Sequence, residues 1–298
     1  MTISFKAKAA LFTTVILWSF SVIIARATVI TTSAMTVLFW RMFFAALSCL
    51  PFFIMRKVWR MNNFRTLIKI SLLSSINIIL FMWGIQYTTA SASQLIYALI
   101  PILIVLIETF HHKIKHPVTK KLGVILGFTG ILLIVYLSIT EKGETITGTL
   151  AGNLAIVIAM LGWLFYILLS KKISLRFSPV DIGSVSILTT FIVSLPFLFW
   201  DLRYGDKVFN FNFSLLLATL FMGFFGTFMT YLLYQYAIKH LSALTASLST
   251  YIQPVTTTIL AMFLLGEKIT PLFVLGTAMV FAGVFLTTTL EFVKRYKN

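Results

Sequence analysis

Apolar segments, each about as long as a bilayer-crossing helix, recur along the whole of this 298-residue chain. A helix needs about 20 residues to cross the roughly 30 Å of hydrocarbon in a bilayer. None of the segments shows the alternating pattern of a membrane barrel, so the sequence predicts an all-α integral membrane protein with ten transmembrane helices. The predicted spans are 9–25, 34–55, 67–87, 91–110, 121–140, 150–170, 180–200, 214–236, 243–265 and 271–292.

The composition excludes an ordinary soluble enzyme. Hydrophobic residues make up 59% of the chain and charged residues 11%, whereas soluble domains are nearer half apolar and a quarter charged. The formal net charge of +16 does not indicate a nucleic-acid-binding surface, because the basic residues lie in clusters between the apolar segments. The single cysteine, Cys49, excludes a disulfide framework.

The distribution of basic residues predicts the orientation. If the amino terminus is cytoplasmic, 18 of the 24 Lys and Arg residues lie in inner segments, five lie in outer segments, including Arg26, and Arg41 lies within a span. Cytoplasmic segments of membrane proteins carry an excess of Lys and Arg. Because this asymmetry persists through nine successive reversals, it favours ten spans with both termini in the cytoplasm.

Two offsets align the chain with itself and predict an internal duplication. An offset of 145 residues aligns Trp18 with Trp163, and an offset of 153 aligns Pro101 with Pro254, Gly123 with Gly276 and Gly130 with Gly283. The predicted repeats are residues 8–140 and 150–292. Since each contains five spans, an odd number, the second repeat enters the membrane from the opposite side. Such inverted repeats are common in secondary transporters, where they support alternating access.

Several motifs resemble the EamA family of the drug/metabolite transporter superfamily. They are Leu17-Trp18-Ser19-Phe20, Phe39-Trp40-Arg41, Ala90-Ser91-Ala92 before Pro101, Ala243 to Ser247 before Gln253-Pro254, and Leu265-Gly266-Glu267-Lys268. The resemblance implies ten helices in two EamA repeats, a bacterial cytoplasmic membrane location, and transport, often export, of small metabolites such as amino acids. The first repeat departs from the pattern, with Lys113-Ile114 at the positions that match Gly266-Glu267.

Arg41 is the most informative single residue. It lies roughly 10 Å of helix rise from the outer end of its span, where a charged side chain usually faces protein or a water-filled cavity. No acidic residue occupies the middle of any predicted span. The guanidinium could therefore bind backbone carbonyls, water or the carboxylate of a substrate. The alternatives are a structural or gating role, or a side chain that extends to the outer interface.

Aromatic and polar residues within the spans complete the predicted substrate pathway. Trp and Tyr rings stack on apolar ligand groups while their N–H or O–H orients the ligand, although each can instead serve helix packing. The predicted pathway residues are Trp18, Ser19, Arg41, Asn77, Trp83, Gln94, Tyr97, Trp163, Tyr166, Tyr231, Ser247, Tyr251 and Gln253. Pro101 and Pro254 are predicted hinges, because proline frees a carbonyl in mid-span.

The sequence predicts a secondary transporter of a small metabolite, an amino acid or a similar compound, rather than an enzyme. A multidrug or cationic-compound exporter ordinarily requires a membrane-buried carboxylate, and none is present at mid-span. A transporter of nucleotide derivatives stays an alternative. A membrane enzyme or receptor is disfavoured, because catalytic motifs, including a phosphate-binding loop, are absent.

We expect a lipid bilayer and a small-molecule substrate as partners, and no nucleic acid or cofactor. Glu108, His112 and His116 follow at helical spacing, but Pro117 and neighbouring lysines indicate a loop, so we expect no metal site. The state is predicted as monomer or homodimer. The glycines of the fifth and tenth spans form small-residue faces that favour close helix packing, and a homodimer would follow if two protomers met there.

Overall fold

The computed structural model describes residues 3–112, 118–140, 148–204, 212–241, 246 and 249–295. For some helical residues in these ranges only the backbone is described. Every extended regular element in the described part is helical. The α-helices are α1 Ile3–Thr31, α2 Ala34–Met55, α3 Phe64–Ile85, α4 Ala90–Tyr97, α5 Ile100–His112, α6 Val118–Thr140, α7 Leu150–Ile173, α8 Pro179–Tyr204, α9 Phe213–Gly223, α10 Thr230–His240, α11 Ser249–Leu265 and α12 Pro271–Arg295.

Seven segments of the described chain are long and apolar enough to cross a membrane. They are α1, α2, α3, α4 with the first part of α5, α7, α8, and the region from α9 to α10. Shorter apolar stretches lie in the other three predicted spans, at Lys121–Leu133, Ile252–Leu265 and Pro271–Gly283. The chain is therefore a multi-pass, all-helical membrane protein, and the count of ten spans stays a prediction.

Polar side chains fix the first turns of four of these helices. Ser33, Thr89, Thr149 and Asn212 precede α2, α4, α7 and α9, and each side chain accepts a hydrogen bond from a backbone N–H two or three residues later. These N–H groups have no partner inside the helix, so such caps stabilise helix starts by about 1 kcal/mol each. The predicted boundaries of the second, sixth and eighth spans coincide with these caps to within two residues.

The fourth span is interrupted, contrary to the predicted continuous helix over 91–110. Helix α4 ends at Tyr97, α5 begins at Ile100, and the Leu99 N–H bonds to the Ile96 carbonyl in a tighter turn. Pro101 has no N–H to offer the Tyr97 carbonyl, so the helical ladder cannot continue unbroken across this point. Its repeat mate Pro254 lies inside α11, which is continuous from Ser249.

One prediction about the end of a span and one about the regularity of a span are also corrected. Helix α1 extends to Thr31, so Arg26 lies within it rather than in an outer loop. The predicted eighth span contains a π-helical turn, Phe224–Met229, between α9 and α10. A π turn adds a residue relative to an α-helix and is frequent at functional sites.

The helices of the two sequence halves pack against each other. Helix α3 packs against α7 and α8, and the region from α9 to α10 packs against α1 and α2. Helix α2 also packs against α8, α4 against α11, and α6 against α12.

Glycines set the contact between α6 and α12. A Cβ atom on Gly130 would lie 2.7 Å from the Gly276 carbonyl oxygen, and one on Gly283 would lie 2.5 Å from the Gly123 oxygen. The small-residue faces therefore meet inside one chain, which accounts for them without the homodimer considered from the sequence.

The Gly266-Glu267 turn links the end of α11 to the start of α4. Gly266 has a positive φ of 67°, which side chains other than hydrogen rarely allow. The Glu267 carboxylate accepts hydrogen bonds from the Ala90 N–H at 2.8 Å, the Ser91 N–H at 3.2 Å and the Ser91 hydroxyl at 2.6 Å. An acid is favourable at a helix N-terminus, where N–H groups are free. Residues 113–114, its first-repeat counterpart, lie outside the described residues.

Candidate functional site

A cavity of about 70 Å³ lies where the two halves meet, and seven helices contribute to its wall. Aromatic rings, amide side chains and one guanidinium dominate the lining. The lining residues are Trp18, Ser21, Val22, Arg41, Asn77, Ile78, Phe81, Gln94, Tyr97, Trp163, Tyr231 and Gln253. No acidic residue is among them.

Arg41 reaches this cavity from the middle of α2. Its Nε donates to Thr227 Oγ1 at 2.8 Å, and its Nη2 donates to the Gly226 carbonyl at 3.3 Å. Its Nη1 lies 3.8 Å from Met82 Sδ. The side chain is 6% exposed, so it does not extend to the outer interface. The guanidinium has no acidic partner among the described residues.

The π turn supplies both oxygen partners of Arg41. Thr227 Oγ1 also donates to the Met222 carbonyl, five residues earlier, at 2.8 Å. A Cβ on Gly226 would lie 2.4 Å from Ser21 Oγ, and one on Gly223 would lie 2.7 Å from the Arg41 carbonyl. These two glycines therefore let α1 and α2 approach the turn closely enough for Arg41 to reach it.

Five rings from α1, α7 and α10 form an aromatic cluster beside the cavity: Trp18, Trp163, Tyr166, Tyr231 and Tyr234. Trp18 and Trp163, which the 145-residue offset relates, meet edge to face with ring centroids 5.4 Å apart. Trp163 stacks on Tyr166 at 5.1 Å and on Tyr234 at 5.4 Å. Such pairs contribute about 0.5–1.5 kcal/mol beyond burial and hold the rings in fixed orientations.

Polar groups of α3, α4 and α10 also line the cavity. Asn77 donates from Nδ2 to the Tyr97 hydroxyl and, at 2.9 Å, to the Ala159 carbonyl. The Tyr231 hydroxyl forms a 2.5 Å hydrogen bond with Ser74 Oγ. These bonds fix the amide and the two phenols before any ligand arrives.

Ser21 is a lining residue that the sequence did not predict. Its side chain is 2% exposed, and its hydroxyl has no hydrogen-bond partner among the described residues. A buried hydroxyl without a partner is costly, and one that faces a cavity can bond to water or to a ligand. Ser21 and Val22 follow Trp18 by three and four residues, so the helical face of Trp18 was the available signal.

The structure brings together eight of the predicted pathway residues and separates three others. Ser19 bonds to the Val15 carbonyl and to Thr256 Oγ1, so it joins α1 to α11. Tyr166 stacks on Trp163 and does not line the cavity. Trp83 lines a different cavity and is 38% exposed. Ser247 and the side chain of Tyr251 lie outside the described residues.

The side chains of Glu108, His112 and His116, where the sequence predicts no metal site, lie outside the described residues. Elsewhere in the described part, no three residues of the His, Cys, Asp or Glu types lie close enough together to hold a metal ion.

Relatives of this chain are bacterial and archaeal proteins named as uncharacterized transporters. The uncharacterized transporter YyaM of Bacillus subtilis is 28% identical over 229 residues, which cover 74% of this chain and 71% of YyaM. An uncharacterized transporter of Archaeoglobus fulgidus is 24% identical over 252 residues, covering 85% and 86%. YetK of Bacillus subtilis is 25% identical over 213 residues, 70% of this chain but only 63% of YetK.

A solved structure titled "Crystal structure of protein" superimposes with a TM-score of 0.67 at 17% identity, covering 98% of this chain and 99% of the other. At that identity the likeness shows the fold alone. The sequence profile of a single family, described as the EamA-like transporter family, matches residues 6–136 and again residues 150–289. The chain therefore belongs to the EamA-like transporter family.

Proposed function

We propose that this protein is a secondary transporter that moves a small zwitterionic or anionic metabolite, an amino acid or a similar compound, by alternating access. In this proposal ten spans, in inverted repeats 8–140 and 150–292, cross a bacterial cytoplasmic membrane with both termini inside, and export is the expected direction. The observation that carries the substrate class is a buried guanidinium, Arg41, in a cavity without an acidic residue.

The hydrogen bonds of Arg41 leave part of its binding capacity for a substrate. A guanidinium has five N–H donors, and two of them reach protein oxygens, Thr227 Oγ1 and the Gly226 carbonyl. A third faces the Met82 sulfur, a weak acceptor. The remaining donors can hold a carboxylate, whose geometry matches the guanidinium fork. The Ser21 hydroxyl can add a further bond.

The rest of the lining suits the ammonium end of an amino acid. The amide groups of Asn77, Gln94 and Gln253 carry carbonyl oxygens that accept hydrogen bonds. The rings of Trp18 and Trp163 offer faces to a cation. Neutral acceptors and rings hold an ammonium without cancelling the charge of Arg41.

Two basic side chains support the inverted-repeat part of the proposal. Arg26, in α1, donates from Nη1 to the carbonyls of Ile85 at 3.0 Å and Gln86 at 2.9 Å, where α3 ends. We call this contact the outer clamp, after its place in the predicted orientation.

The second contact, which we call the inner clamp, is made by Lys171 in α7. Its Nζ donates to the carbonyls of Ile238 at 2.8 Å, Lys239 at 3.2 Å and Leu241 at 2.6 Å, where α10 ends. The two offsets seen in the sequence relate the clamps: 145 separates Arg26 from Lys171, and 153 separates Ile85 from Ile238. Basic side chains at equivalent positions thus donate hydrogen bonds to the carbonyls at equivalent helix ends, one in each half.

The packing of the helices agrees with the same exchange of halves. If α1 corresponds to α7 and α3 to the region from α9 to α10, the contact of α3 with α7 corresponds to that of α10 with α1. Exchanging the two halves swaps α2 with α8 and α6 with α12. The contact within each of these two pairs is therefore unchanged by the exchange. Two half-bundles related in this way can rock about a shared cavity, which is the physical basis of alternating access.

The alternative substrates fit the cavity less well. A cationic compound would meet the charge of Arg41 and no acidic lining residue. A nucleotide derivative is much larger than an amino acid, and the cavity in this conformation measures only about 70 Å³.

Flux into liposomes that contain the purified protein tests the proposal. We expect saturable uptake of labelled amino acids and none of a cationic dye. Converting the carboxylate of the transported amino acid to its methyl ester should remove transport, because Arg41 then loses its partner. Arg41→Ala should do the same, while Arg60→Ala, at an exposed position of the turn Val58–Arg60, should not.

The size of the Arg41 effect follows from its chemistry. A hydrogen bond to a charged group contributes about 1.5–3 kcal/mol, so losing one weakens substrate binding roughly 10- to 150-fold. Arg41→Lys keeps the charge but not the fork, so we expect an intermediate loss. Equal transport of the amino acid and its ester, or of the dye, would contradict the proposed substrate class.

A further inference from the structure

A second cavity, of about 570 Å³, opens between the first turn of α2 and the last turns of α3 and α8. Five aromatic rings and one carboxylate line it, together with apolar and polar side chains of α2 and α3. The rings and the carboxylate belong to Trp83, Tyr87, Phe197, Trp200, Asp201 and Tyr204. Neither Arg41 nor any other residue of the first cavity contributes to it.

The rings stand in two pairs on two different helices. Trp83 and Tyr87 are one turn apart on the end of α3, with centroids 5.0 Å apart. Trp200 and Tyr204 are one turn apart on α8, with centroids 4.7 Å apart. Aromatic residues at a membrane interface commonly face lipid as single anchors. Here four rings from two helices border one concave space.

Asp201 gives this space a negative charge. Its Oδ2 accepts a 3.3 Å hydrogen bond from Thr36 Oγ1, and no hydrogen bond to Oδ1 is present in the described part of the chain. The ion pair that the described residues do contain joins Arg56 to Asp181, at the opposite end of α2 and α8. Arg203 lies 5.9 Å from the centroid of the Tyr204 ring but is not a lining residue. Among the described residues, the carboxylate that lines this cavity therefore has no basic partner.

We propose that this second cavity, the aromatic vestibule, binds an alkylammonium group. Aromatic faces attract cations that are weakly hydrated, and cages of several rings recognise quaternary ammonium ions in particular. The Asp201 carboxylate supplies the matching charge, and the ring faces contact the methyl groups. This ligand chemistry is the opposite of that expected at Arg41, and it does not depend on the proposed function.

Radiolabelled choline, a soluble quaternary ammonium ion, is the probe. We expect saturable binding to the purified protein in nanodiscs of phosphatidylglycerol, whose head group carries no ammonium. Unlabelled tetramethylammonium should displace the choline, and the uncharged tert-butyl analogue of choline should not. Asp201→Asn and Trp200→Leu should each weaken binding about tenfold, since each removes one element of cation recognition.

Control variants separate this site from general effects on the fold. Asp201→Glu should restore most of the affinity. Trp59→Leu, an exposed tryptophan near the other end of the bundle, should leave it unchanged. Arg41→Ala should also leave choline binding intact, so failure of this proposal is distinguishable from failure of the transport proposal.

A second arm identifies the source of the ammonium group. If the vestibule holds a lipid head group, nanodiscs of phosphatidylcholine will suppress choline binding through competition. If it holds a soluble ammonium compound, the two lipids will give equal binding. Absence of choline binding in phosphatidylglycerol, displacement by the uncharged analogue, or unchanged binding in both Asp201→Asn and Trp200→Leu would overturn the proposal.

Discussion

The two clamps predict opposite effects of two similar mutations. Both clamps are formed in the structure, and each joins two helices of the same half. Arg26→Gln removes two hydrogen bonds from a charged donor to carbonyls at the end of α3. Lys171→Gln removes three at the end of α10. If the repeats are inverted, the first change opens the outer side and the second opens the inner side.

The magnitude follows from the number and setting of these bonds. A hydrogen bond to a charged group contributes about 1.5–3 kcal/mol, and we take the lower end because Arg26 is only partly buried. A difference of about 1.4 kcal/mol changes an equilibrium tenfold. We therefore expect each mutation to raise the population open on its own side about tenfold.

Cysteine labelling measures this opening. In a Cys49→Ala background, which has no other thiol, Ser21→Cys places a reporter in the cavity wall. A membrane-impermeant maleimide added from outside should label the reporter about ten times faster with Arg26→Gln. Lys171→Gln should speed labelling in inverted vesicles instead. Lys172→Gln, an exposed neighbour, should change neither rate.

The side of the membrane from which labelling accelerates tests whether the two repeats are inverted. If both clamp mutations accelerate labelling from the same side, the halves do not face opposite ways and the inverted repeat is wrong. If neither changes the rate while amino acid flux is intact, the clamps are helix caps without a role in gating.

The remaining predictions concern packing and the inner end of α2. Gly130→Ala should destabilise the protein by about 1–3 kcal/mol, because the new Cβ would lie 2.7 Å from the Gly276 backbone oxygen; Ala282→Val, on an exposed face of α12, is the control, and denaturant unfolding in mixed micelles gives both values. Arg56→Gln breaks a two-point contact with buried Asp181, at 2.6 and 3.2 Å, but the exposed position of Arg56 limits the expected loss to about 1 kcal/mol. A loss of several kcal/mol in the same unfolding assay would mean that Asp181 depends on Arg56 more than its two Ser178 bonds suggest.

Much of the membrane architecture was predictable because its causes are local. Apolar length and the capping residues Ser33 and Thr149 determine where helices cross and begin. Charge and amides in apolar helices are equally visible in a sequence, which is why Arg41 and Asn77 stood out before their positions were known. Both side chains line the same cavity.

Other features depend on tertiary contacts that no local pattern shows. The sequence Phe224–Met229 contains no proline and reads as part of an ordinary helix, yet it forms a π turn where Gly223 and Gly226 meet α2 and α1. Trp83 was predicted in the pathway because it lies within a span, but its helical face points to the aromatic vestibule instead. Ser21 shares the helical face of Trp18, but that face alone does not distinguish a cavity-lining hydroxyl from one buried in helix packing.

The choice of partners for Arg41 connects these observations to transport. A carboxylate from the protein would hold the guanidinium in place, but it would also neutralise the charge and compete with an anionic substrate group. Thr227 and the Gly226 carbonyl are neutral acceptors, so they orient the side chain and leave its charge available. Because both acceptors lie on the π turn between α9 and α10, any movement of that turn moves Arg41 as well. The residue that we expect to bind the substrate is thereby tied to a helix whose end forms the inner clamp.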